Sequence, residues 1–235
     1  VLESGEEEDI FSPEYFEKLS DVKMPATKLE LLVKILRKQI KEYGKVNRLA
    51  AKTYHEMLEK TIAEYHERRK HLSAEEAGEA QKQVSEDIIK IATEQALAIL
   101  RAMNENRESF RKMGLTFEEK AFYDILVSMR DQYNFEYGTD KEVDGIVIND
   151  KCKNLAIKVK EIIDTKSSFA DWLNNQTVRD QLKLEIKIYL VKNGYPPQYS
   201  PEVFKKVMEQ VENFEEYSGE TVENGNNASA KVYQY

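Results

Sequence analysis

One cysteine, Cys152, stands alone among 235 residues. A single thiol closes no internal bridge, and no charged, apolar and small-residue leader opens the chain, so the expectation is a reduced, cytoplasmic protein and not a stapled secreted one. Long apolar runs are missing as well. No stretch approaches the roughly 18 residues that a membrane-spanning helix requires, and no membrane role is expected. Glycine and proline are scarce, at nine and five. Nearly all of them stand where a helix would begin or stop, which leaves strands little room. No glycine pair has the spacing of the phosphate-cradling Gly-Lys-Ser/Thr loop, so the chain carries no P-loop motor site. Basic excess is also lacking: 35 Lys+Arg face 43 Asp+Glu, a net charge of −8. A general nucleic-acid coat works by neutralising phosphates and needs the opposite balance, although a local basic face remains open.

What is present is helical periodicity. Ser12-Pro13-Glu14 and Ser200-Pro201-Glu202 repeat one start signal, a hydroxyl cap, a proline at the first helical position and an acid at the positive end of the dipole. They predict helices from about 13 and about 201. Leu32, Ile35, Leu36, Ile40 and Tyr43 share a stripe that Gly44 caps or kinks. Ala50, Tyr54, Met57, Leu58, Ile62 and Tyr65 form the next stripe, giving two helices or one long kinked one. Ser73-Ala74-Glu75-Glu76 reads as a capping box, and from Val84 the stripe Ile88, Ala92, Ala96, Ile99, Leu100 and Met103 predicts an element longer than 25 residues. Thr116-Phe117-Glu118-Glu119 is a second capping box, opening a helix over about 117–130 with Phe122, Ile125, Leu126 and Met129 inward. Residues 131–149 read as a long loop or divergent linker in which 145–148 is the strand-like run. Helices resume over about 150–164, with Leu155, Val159, Ile162 and Ile163 inward. Another follows over about 176–193, with Val178, Leu182, Ile186 and Leu190 inward. The expected fold is all-α: a multi-helix array with a long helical arm over 1–114, a compact C-terminal helical module over 115–217, and a disordered tail over 218–235 whose Ser, Gly, Asn and Glu cannot repay their ordering entropy.

Chemical signals are few. His66 and His71 lie five apart, about 140° around a helix, and cannot grip one metal. Asp171 with Glu185-Ile186-Lys187 has the residue types of a nuclease motif, but in a helix Glu185 and Lys187 point about 200° apart and cannot line one pocket. No catalytic, cofactor-binding or metal-ligating residue is expected within this chain. Arg179, Lys183 and Lys187, four apart, form a basic stripe read as lying opposite the apolar face, where phosphates or an acidic partner could meet it. The bland reading is a solvated face. Trp172 at a helix start reads as a core plug, and Cys152 as a packing residue.

Leu115-Thr116-Phe117-Glu118-Glu119-Lys120-Ala121-Phe122-Tyr123-Asp124, Asp171-Trp172, Val178-Arg179, and Tyr189-Leu190 running to Gly194-Tyr195-Pro196-Pro197 resemble, in order and spacing, the C-terminal helical region of the restriction (motor) subunit of type I restriction-modification enzymes. Asp9-Ile10-Phe11, Leu31-Leu32, Asn47 and Leu58-Glu59-Lys60 resemble the segment after that motor's second helicase lobe, so the likeness spans most of 8–199. Its most specific pieces are Asp171, Trp172, Gly194, Tyr195, Pro196 and Pro197, a structural motif. Val1 opens the chain in mid-pattern, as expected of a piece of a longer subunit. The resemblance implies a parent that hydrolyses ATP with Mg2+, pulls DNA and cuts it. It implies that this region docks the parent on the methyltransferase and specificity subunits, with DNA met through the parent. Two alternatives remain: a module that binds DNA or nucleotide through Arg179, Lys183 and Lys187, or an unrelated helical adaptor.

Overall fold

A computed structural model describes residues 24–70, 79–167 and 175–223, together with Tyr15 and Leu19. The order is α1 (Pro25–Val46), α2 (Arg48–Lys70), α3 (Glu79–Lys112), α4 (Phe117–Gln132), β1 (Asp140–Val143), β2 (Ile146–Asn149), α5 (Asp150–Ser167), α6 (Gln176–Lys192) and α7 (Pro201–Glu223). The fold is all-α with one small hairpin, as the periodicity predicted. No helix among the described residues is long and apolar enough to cross a membrane.

Contacts group the chain into two compact units: 1–41 with 53–106, and 42–52 with 107–235. The second unit therefore begins before the expected boundary at 115 and recruits an early stretch of chain. In the first unit, Leu32 and Leu36 of α1, Leu58 of α2, and Ala96, Ile99, Leu100 and Met103 of α3 are fully enclosed. Each large aliphatic side chain so buried contributes about 1.5–3 kcal/mol. The buried face of α2 is Ala51, Tyr54, Leu58 and Thr61, while Met57, expected inward, is exposed. Tyr54 donates its hydroxyl to the Ala102 carbonyl at 3.2 Å, tying α2 to α3. At 34 residues α3 is longer than 25, as expected, while Val84 near its start faces solvent.

In the second unit α4 packs against α5 and α7, α5 against α6, and α6 against α7. The α4 start matches its signature. Thr116 Oγ1 accepts from the Glu119 amide at 3.2 Å, and the Glu119 carboxylate accepts from the Thr116 amide at 2.7 Å. Within the stretch expected as loop or linker, residues 140–149 form an antiparallel hairpin in which Val143 pairs with Ile146 and Asp140 with Asn149, and the strand-like run 145–148 falls on the turn and β2. Its two-residue turn holds Asp144 at φ 50° and Gly145 at φ 75°, the left-handed pair that makes Asp-Gly the preferred hairpin turn. That dipeptide was the available signal. The break between α1 and α2 falls at Asn47 and not at Gly44, which lies inside α1. The proposed capping box at 73–76 lies outside the described residues. Helix α7 continues to Glu223, so the first residues of the expected tail are helical.

Candidate functional site

Four features of the second unit hold its densest chemistry. The first is the Asn47 break. Its Oδ1 accepts from the Ala50 amide at 3.0 Å, capping α2, and its Nδ2 donates to Asp124 Oδ2 at 2.7 Å. The carbonyls freed at the end of α1 are met by α7: Gln210 Nε2 donates to Val46 at 2.8 Å, and Asn213 Nδ2 to Gly44 at 3.0 Å. Gln210 Oε1 accepts from the Arg48 amide at 3.3 Å. A buried helix end without such partners would leave orphaned backbone groups, so two amides from a distant helix make this break possible.

The second is a cleft of about 360 Å³ lined by α4, the hairpin, and Ser109 and Met113 at the end of α3. Lys120, nearly enclosed, pairs with Asp124 and lies over the Tyr123 ring at 5.8 Å. Arg130 donates from Nη2 to Asp140 at 3.0 Å and from Nε to Asp131 at 2.8 Å. Arg130, and after it Asn149, hold the Asp140 carboxyl below its usual range. Asn149, buried, caps α5 by accepting from the Cys152 amide at 3.0 Å, and donates to the Tyr137 carbonyl at 2.8 Å. Burial pushes the Cys152 thiol up to about 12, so it is inert packing.

The third is the sharp turn after α6. Gly194 at φ 70° sends its amide to the Val191 carbonyl, and the Tyr195 amide reaches Leu190, each at 2.9 Å. This double bond pattern is the Schellman motif, and it needs a residue tolerant of positive φ. The turn drives Tyr195 inward, where it is fully enclosed. Its hydroxyl donates to the Leu126 carbonyl at 2.6 Å, and its ring meets Tyr137 edge-on at 5.1 Å and Phe135 at 5.4 Å. Burial raises the Tyr195 hydroxyl well above the ordinary phenol range. Tyr195, set by the turn at Gly194, thus bolts the end of α6 to α4.

The fourth is α6 itself. Arg179 bonds Gln176, Lys183 pairs with Glu212 at 2.6 Å, and Lys187 donates to the Tyr199 hydroxyl at 3.2 Å. At 100° per residue this row lies roughly 80° from the inward stripe, on its flank. The face opposite the core, roughly 170° away by the same arithmetic, carries Leu184, Ile188 and Val191, all exposed. The expected position of the basic stripe is corrected accordingly: its lysines turn toward α7 and the loop before it. Glu185 pairs with Lys166 at 3.4 Å, away from Lys187, and among the described residues no three His, Cys, Asp or Glu converge for a metal. Asp171, Trp172 and His71 lie outside the described residues.

Such a unit, whose charged groups mostly answer one another and whose buried asparagines brace helix ends, is a braced all-helical domain with one hairpin. The chain belongs to the family of C-terminal domains described as type I restriction enzyme HindI endonuclease subunit-like, whose model matches residues 4–217. It is 26% identical over 185 residues to a putative type I restriction enzyme MjaIXP endonuclease subunit of Methanocaldococcus jannaschii. That match covers 79% of this chain but 15% of the relative, so the chain spans a small part of the relative's length. No solved structure matches it.

Proposed function

We propose that this domain serves assembly, holding the restriction subunit of which it is part to a methyltransferase and specificity core. Family membership over 4–217 is the observation that carries this reading. The internal bracing is in keeping with it, because Asn47 and Asn149 spend their polar groups on helix starts and the Tyr195 hydroxyl ties the turn after α6 to the Leu126 carbonyl within α4. In the parent, ATP with Mg2+ would drive DNA translocation before cleavage, with DNA met through regions other than this one. The cleft beside α4 does not fit ATP. Lys120 and Arg130 are committed to Asp124, Asp131 and Asp140, and the remaining carboxylate lone pairs repel a triphosphate. No step of that chemistry is therefore assigned to these residues.

The test is truncation of the full-length subunit after Asn106. It should lose stoichiometric co-purification with the methyltransferase and specificity subunits. A truncated subunit that still co-purifies at full stoichiometry refutes the assembly role.

A further inference from the structure

The cleft on α4 carries hydrogen-bonding groups that the fold leaves unspent. Its floor is one face of the helix, where Lys120, Asp124, Val127 and Asp131 fall within about 60° of one another around the axis, and Ile146 and Val147 of β2 wall it. Lys120 is 5% exposed. Its ammonium has three N–H donors, and among the described residues Asp124 alone accepts from it. The Tyr123 hydroxyl, also buried, accepts from the Asn149 amide at 3.0 Å and donates to no described residue. Enclosed donors cost their desolvation unless an acceptor reaches them. At the other end Asp131, its side chain 60% exposed, meets Arg130 through Oδ1, while Oδ2 meets no described donor.

The edge of β2 selects the kind of ligand. Asn149 sends its amide away from β1 to Tyr123 of α4, and alternate residues of a strand aim their backbone groups at the same edge. Val147 therefore points its amide and carbonyl toward α4, along the cleft it lines. It stands opposite Glu142 in the non-hydrogen-bonded kind of pair, and neither backbone group meets a partner among the described residues. An N–H and a C=O from one residue are answered together by an extended chain, whereas a helix has spent its own backbone groups internally. We propose that the cleft takes an extended peptide of a partner polypeptide, added as a strand to the outer edge of β2 and carrying a lysine or arginine for Asp131. Charge supports the choice: Asp124, Asp131 and Asp140 outnumber Lys120 and Arg130 in the lining. A neutral backbone carbonyl thus suits Lys120 and Tyr123 better than a phosphate or carboxylate, and a cation suits Asp131. Val127 and Met113 offer apolar surface to the stem of that basic side chain. At 1.5 Å per residue Lys120 and Asp131 stand about 16 Å apart along α4, a span that about five residues of extended chain cover. This goes beyond the assembly reading and does not require it.

The probe is a pool of acetylated, amidated pentapeptides, random at the middle positions and with arginine or lysine at either end, beside a pool with glutamate there. Both are selected on the full-length subunit, and the best binder is measured by fluorescence polarisation. Basic peptides should bind about fivefold or more tighter than their glutamate counterparts, and Asp131→Asn should bring the two within about twofold. N-methylation of the best peptide at successive amides should weaken binding about tenfold at alternate positions only, the mark of strand pairing. That series is read on the wild-type subunit, so it decides even where Asp131→Asn lowers the thermal melt. No enrichment of basic over acidic peptides overturns the proposal, as does a basic preference that survives Asp131→Asn. N-methylation without alternation, or spermidine binding as tightly as the best peptide, shows a site for a cationic group alone and overturns the added strand.

Discussion

Replacing Asn47 by alanine should be among the most damaging single changes in the second unit. The side chain is completely buried and does two jobs. Loss of the cap on α2 costs about 1 kcal/mol. Loss of a hydrogen bond to a charged, largely buried acceptor, here Asp124 Oδ2 at 2.7 Å, costs about 1.5–3 kcal/mol. The sum, about 2.5–4 kcal/mol, corresponds to a fall in Tm of roughly 5–15 °C for a chain of this size. Asn47→Asp separates the two contributions. It keeps an oxygen to cap the helix but sets a carboxylate against Asp124, so at neutral pH it should be at least as destabilising as alanine. Thermal and urea unfolding followed by far-UV circular dichroism reads both variants. Asn47→Ala within about 0.5 kcal/mol of the parent, the range of an ordinary surface substitution, would show that the break is not held as described. An Asn47→Asp variant more stable than Asn47→Ala would show that the cap matters and the bond to Asp124 does not.

Two further outcomes follow from the hairpin. At Gly145, φ is 75° and a new Cβ meets nothing within 4 Å, so Gly145→Ala should cost only backbone strain, about 1 kcal/mol. At Gly138 a Cβ would fall 2.6 Å from Asn149 Oδ1, the atom that caps α5, so Gly138→Ala should cost at least twice as much in the same unfolding assay; equal costs would refute the close approach. Asp140 gives a pH signature. Its carboxyl is held low in the folded chain, chiefly by Arg130, so its contribution is present above the ordinary carboxylate pKa near 4 and is lost as pH falls through the lower folded value. Asp140→Asn should destabilise at pH 7 and flatten that part of the acid limb, and parallel pH profiles for the two proteins would contradict the assignment.

Much of the secondary structure was legible because it rests on local physics. Thr116 and Glu119 announce the α4 start through backbone amides three residues apart, and Leu155, Val159, Ile162 and Ile163 announce one face of α5 by period alone; all four are buried. The hairpin was legible in principle, since Asp144-Gly145 supplies the two positive-φ residues its turn demands, but the short, mixed-polarity flanks hid it. The motif at Gly194, Tyr195, Pro196 and Pro197 was recognisable as a stop. That its tyrosine reaches the Leu126 carbonyl across 69 residues was not.

From the order of its residues alone, this chain was bound to be helical, since period and caps act over a few residues and need no partner, and its motifs carried the resemblance to type I restriction subunits that the family match bears out. The tertiary structure decided where α1 ends, because Gly44 looked like the stop until Gln210 and Asn213 were seen to satisfy carbonyls around Asn47. It also decided that Val178, read as inward with Leu182, Ile186 and Leu190, is only half-buried, because the packing of neighbouring helices seals the last three positions of that row and not the first.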